Sequence, residues 1–73
     1  MKLPITVDEN GDKETFSTVE EAELSMEPID VENNEFVVTD ADGKVLSAVV
    51  VTETVRIIFI KTNIKKVKIL DND

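Results

Sequence analysis

The chain contains no cysteine, histidine, tryptophan or tyrosine. Without cysteine there is no disulfide, no thiolate zinc site and no cysteine nucleophile. Without histidine the commonest general base and the commonest transition-metal ligand are both missing. Gly11 and Gly43 stand alone, so no glycine-rich phosphate loop exists. Ser17, Ser25 and Ser47 have neither a histidine to activate them nor a Gly-x-Ser-x-Gly elbow around them. Long apolar runs are also missing. The longest, Ala48-Val49-Val50-Val51 and Ile57-Ile58-Phe59-Ile60, fall far short of the roughly 20 residues a spanning helix needs. Met1-Lys2-Leu3-Pro4 lacks the apolar segment of a signal peptide. The cytoplasm is therefore the expected compartment, and a non-enzyme with no cofactor and no metal is the expected class.

Seventy-three residues and 8.1 kDa allow one domain, residues 1–73. The 41% apolar and 33% charged content is that of a globular chain rather than a disordered one. The net charge of −8 is unevenly spread. Residues 1–43 carry thirteen carboxylates against Lys2 and Lys13, a net of −11, whereas residues 44–73 carry three against six bases, a net of +3. A field of that sign repels nucleic-acid phosphates and anionic lipid, and it attracts a basic partner.

Leu3 to Phe16 reads as a hairpin around Asn10-Gly11, because both central residues of a type I′ turn need a positive φ. Leu3, Ile5 and Val7 share a parity and should face a core. The helix begins next, since Ser17 with Glu20, and Thr18 with Glu21, each fit the capping-box spacing. Val19, Ala22 and Met26 form its apolar stripe, Leu24 falls off it, and Pro28 should end it at Glu27. Ile29-Asp30-Val31 is expected to be extended, with a turn at Asn33-Asn34. Phe36 to Thr39, Val45 to Val51, Thr54 to Lys61 and Ile64 to Leu70 then read as strands. Turns are expected at Asp40 to Gly43, near Thr52-Glu53, and at Thr62-Asn63. The expected fold is α+β: an antiparallel meander of about six strands in ββαββββ order with one short helix packed on it. The expected core comprises Phe16, Val19, Met26, Phe36, Val38, Val49, Ile57 and Phe59. Lys66 and Lys68 alternate with Val67 and Ile69, a one-sided pattern that suits an edge strand.

Oxygen-rich turns at Asp8, Asn10 and Asp12, and at Asp40 and Asp42, depart from the calcium-loop spacing and read as turn chemistry. Asp30, flanked by Ile29 and Val31, is the best-placed carboxylate for acid–base work, with fixing of the chain's exit from the helix as its simpler role. The basic cluster of Lys61, Lys65, Lys66, Lys68 and Arg56 lacks the exposed aromatics of a nucleic-acid site. Glu20, Glu21, Glu23 and Glu27 on the helix are the candidate partner-binding residues, because a capped helix displays them from a rigid base.

The run Val-Glu-Glu-Ala-Glu from Val19, then Met26-Glu27-Pro28-Ile29-Asp30-Val31, Glu35-Phe36-Val37-Val38 and Asp40-Ala41-Asp42-Gly43-Lys44-Val45-Leu46, resembles small bacterial proteins of uncharacterised role. Some of these are similar to immunity proteins of polymorphic-toxin and contact-dependent inhibition systems. The resemblance covers residues 16–46 and ties no catalytic role to them. It implies a small α+β protein that binds another protein, such as a basic toxin domain, and leaves the Lys-rich last strand uninterpreted. The alternative is a structural or self-associating accessory protein whose sheet face, around Val49 to Ile60, meets another copy, as a monomer or weak homodimer.

Overall fold

The computed structural model describes residues 1–72. The chain opens with β1 (Ile5–Glu9) and β2 (Asp12–Phe16), joined by the expected two-residue turn. Asn10 (φ 53°) and Gly11 (φ 96°) both lie in the left-handed region, and Glu9 pairs with Asp12 across the loop. The Asp8 side chain accepts the Gly11 N–H at 2.8 Å and fixes the turn.

Helix α1 (Val19–Ser25) starts at Thr18 rather than Ser17. Thr18 Oγ1 accepts the Glu21 N–H at 3.2 Å and donates to Glu21 Oε1 at 3.0 Å. The helix ends on Met26, two residues before the proline. Pro28 then does more than stop it. It occupies the first turn of a second helix, α2 (Pro28–Glu32), where its missing N–H has no intrahelical acceptor to lose. The extended segment expected at Ile29-Asp30-Val31 is therefore helical, and it buries Val31. Helix α2 closes as a Schellman turn. Asn34 takes a φ of 57°, its N–H reaches the Val31 carbonyl, and the Glu35 N–H reaches that of Asp30.

Three strands complete the chain: β3 (Phe36–Thr39), β4 (Val45–Ile57) and β5 (Ile60–Leu70). The turn between β3 and β4 is organised by Asp40, which is buried and accepts N–H groups from Asp42 and Lys44 at 2.9 Å and from Lys2 at 3.3 Å. Gly43 supplies the positive φ of 78°. All neighbouring strands are antiparallel, in the order β2-β1-β3-β4-β5. The class is α+β, with five strands and two short helices in place of six strands and one helix. No break occurs near Thr52-Glu53, where both residues sustain an extended chain, and Thr62-Asn63 lies inside β5. The reversal falls instead at Ile58-Phe59, with Ile57 paired to Ile60.

The helices cover one sheet face. Ile5, Val7, Val38, Leu46, Val67 and Ile69 from the strands meet Ala22, Met26 and Val31 from the helices. Phe16, Val19, Phe36, Ala48 and Val50 pack around them, partly buried. Three expected core residues lie elsewhere: Val49 is half-buried on the opposite face, Ile57 is exposed, and Phe59 is 97% exposed. Leu3 is exposed as well. The reason is that β4 and β5 outrun the body. Only Val45 and Leu46 of β4 pair with β3, while its pairing with β5 runs from Ser47–Leu70 to Ile57–Ile60. Among the described residues, the far half is a two-stranded arm with no helix over it. The molecule measures 45 × 22 × 21 Å with a radius of gyration of 13.5 Å, against about 11 Å for a compact chain of this length. Its accessible surface is 5186 Å², above the roughly 4,500 Å² of a compact protein of equal mass.

Candidate functional site: the acidic helix and the hairpin arm

The four candidate carboxylates do not act alike, and only Glu20, Glu21 and Glu23 lie on α1; Glu27, expected on that helix, lies beyond its end as the N-cap of α2. Glu20 and Glu27 are exposed. Glu21 is exposed but tied to Thr18 at the helix start. Glu23 is half-buried, and its Oε2 accepts the Ile69 N–H at 2.8 Å. That N–H lies on the side of β5 away from β4, so Glu23 caps the free edge of the sheet. By strand alternation the N–H groups of Val67 and Lys65 point the same way. They face a groove of about 450 Å³ between α1 and β5. Glu20 and Leu24 line its helix wall, and Lys65, Lys66 and Lys68 line its strand wall. Leu24, the residue off the helix stripe, is 87% exposed there. Lys65 reaches across to Glu32 of α2 at 3.2 Å.

Asp30 has a partner that sequence reasoning missed. The Schellman turn brings Glu35 back beside it. The Glu35 carboxyl is held above the ordinary carboxylate range, first by its hydrogen bond to Asp30 and then by the Asp30 charge. Partial desolvation and Glu9 add to this, and a hydrogen bond with Asn33 opposes it. Asp40 moves the other way. Burial pushes its carboxyl up, but N–H donation from Lys44, Lys2 and Asp42 outweighs burial and leaves it below the usual range. Asp8 and Asp40, one acid from each oxygen-rich turn, thus spend side-chain oxygens on backbone amides. Among the described residues, no group of three or more Asp and Glu side chains is placed to hold a metal ion.

The arm is the second candidate surface. Along β4 the even positions Leu46, Ala48 and Val50 turn to the core, so the odd positions Val45, Val49, Val51, Val55 and Ile57 line the outer face. Ile60 and Ile64 of β5 join them through their pairing with Ile57 and Glu53. Among the described residues, neither helix covers this face. Lys66 also sits on it, paired with Glu53 at 2.9 Å. At the tip Ile58 is 80% exposed and holds a φ of 51°, a costly conformation for a β-branched residue. Arg56 and Lys61 stand directly behind the apolar tip as cross-strand partners. The one signal of this arrangement in the sequence is Ile57-Ile58-Phe59-Ile60 bracketed by Arg56 and Lys61, a pattern that reads as a buried strand until its register is known.

Comparison with protein-family models, characterised proteins and solved structures yields no match for this chain. No helix among the described residues is long and apolar enough to cross a membrane.

Proposed function

We propose that the chain is a small non-catalytic protein-binding module that acts by occupying a partner's surface, and that the contact is made by the hairpin arm. One observation carries this reading. Phe59 stands 97% exposed at the end of an arm whose outer face is lined with valine and isoleucine. Exposed apolar patches rimmed by charge mark interaction sites, and a projecting aromatic is the usual anchor of an interface. The cytoplasm is the compartment we propose, on the cysteine-free composition. The test is titration calorimetry of the purified chain against itself and against the purified products of its flanking genes. Saturable binding that Phe59→Asp with Ile57→Asp abolishes supports the reading. Failure of every titration overturns it.

A second reading is favoured by the exposure of Glu20 on the capped helix α1 and of Glu27 at the start of α2. It is immunity-like neutralisation of a basic toxin domain, in line with the resemblance carried by residues 16–46. Charged rims steer encounter more than they hold a complex, so added salt should slow association. Glu20→Lys with Glu27→Lys should abolish protection in a toxin co-expression assay and leave the fold intact. Glu23 is kept out of that variant because it holds the β5 edge. Full protection by the double variant would remove both Glu20 and Glu27 from the interface.

A further inference from the structure

We infer that the open edge of β5 takes an extended peptide as a further strand of the sheet, one whose side chains alternate between acidic and apolar. The inference goes beyond the arm reading, because it uses the body end of β5 and not the tip. As an outer strand, β5 has β4 on one side only. The Lys65 and Val67 N–H groups point away from β4, and their carbonyls do the same. Among the described residues, nothing on that side pairs with them. A row of unpaired main-chain donors and acceptors is a template for another strand. The groove of about 450 Å³ leaves room beside them, and its wall from Lys65 to Lys68 offers some 13 Å of edge.

Glu23 sets the end of the site. Its carboxylate already occupies the next outward N–H, that of Ile69, so an added strand pairs with Lys65 and Val67 and stops there. The same contact shows what this edge accepts, an anionic oxygen on a main-chain donor.

Register fixes the side-chain pattern of the occupant. Its residues beside Lys65 and Val67 share the helix side of the sheet, where Leu24, Met26 and Pro28 line the groove. Leu24 is exposed there, so that wall takes apolar side chains. Its residues beside Lys66 and Lys68 share the outer face with those two lysines. Lys66 is paired with Glu53, whereas Lys68 has no ion pair among the described residues. A carboxylate on the added strand completes it. A second β5 is excluded by the same rule, since like charges would face each other across the strands.

The test titrates the isotope-labelled full chain with blocked synthetic peptides of about six residues, followed by amide NMR. One peptide alternates glutamate with valine, and its control alternates lysine with valine. The glutamate peptide should shift the Lys65 and Val67 amide resonances saturably and slow their hydrogen exchange, while the lysine peptide should do neither. Two further glutamate peptides are N-methylated, one on its valines and one on its glutamates. Only one of these sets faces β5 in either strand orientation, so one methylated peptide should fail to bind and the other should bind. Lys68→Glu should weaken the glutamate peptide by roughly two- to fivefold and strengthen the lysine peptide. Leu24→Asp should also weaken the glutamate peptide, and both variants should keep the parent's circular dichroism spectrum and melting temperature. Absence of a saturable shift at Lys65 and Val67 overturns the inference. Shifts confined to Phe59 and its neighbours would overturn it too, while supporting the arm reading. Binding of both methylated peptides overturns main-chain pairing, and equal binding of the lysine peptide overturns the acidic pattern.

Discussion

At the scale of single residues, the two perturbed carboxylates have opposite effects on stability as pH changes. Glu35 has a folded-state pKa above its unfolded value, chiefly through Asp30. Its contribution is fully present in acid, below the unfolded pKa, and is lost as pH rises through the folded pKa. Glu35→Gln should therefore raise the melting temperature at neutral pH, and the gain should vanish as the solution is acidified. Thermal melts of both chains across that range check it, and a gain that persists in acid would show that charge is not the cause. Asp40 has a depressed pKa, so its contribution is present above the unfolded value and is lost as pH falls through the folded one. The parent should lose stability toward acid even as the Glu35 penalty is relieved.

At the scale of elements, what was legible in the sequence was whatever has a local cause. The Asn10-Gly11 turn, the hydroxyl-capped helix start, the Asp40–Gly43 turn and the edge position of the last strand all follow from residues within one turn of each other. What was not legible has a cause elsewhere in the chain. Pro28 ends one helix and begins another, and the choice depends on Val31 finding a place in the core. The β4–β5 reversal uses Ile58-Phe59, residues with no turn preference, so only the strand register reveals it. Nor could the candidate surface be found from spacing, because apolar runs in strands and at hairpin tips look alike. Ile5 and Phe59 show the difference energetically. Ile5 is fully buried, and Ile5→Ala should cost about 2–5 kcal/mol. Phe59→Ala should change stability by less than about 0.5 kcal/mol, although a buried ring would cost about 3–5 kcal/mol. Urea unfolding of the two variants separates the cases, and a large loss for Phe59→Ala would put its ring against the body.

At the scale of the whole molecule, the far half of the arm exposes apolar side chains without adding to the core. Lys66 and Lys68 lie on its outer face, and Lys66 is neutralised by Glu53 across the strands. Charges of this kind on an edge strand discourage pairing with other chains. Lys66→Val with Lys68→Val should promote self-association, seen as light scattering that rises with concentration above that of the parent. Melting of the dilute monomer should be little changed. A double variant that scatters no more than the parent would show that these lysines do not protect the edge.

The separation of arm from core also bears on how the protein can change over generations. None of the nine buried core residues falls between Val51 and Lys66, so substitutions there escape the usual penalty of altered packing. In a saturating library selected only for folded protein, residues 52–65 should accept most replacements, apart from those that interrupt strand pairing. Positions such as Val38 and Ala22 should accept few. A lineage built on this plan can change its tip one residue at a time while its fold stays under unchanged selection.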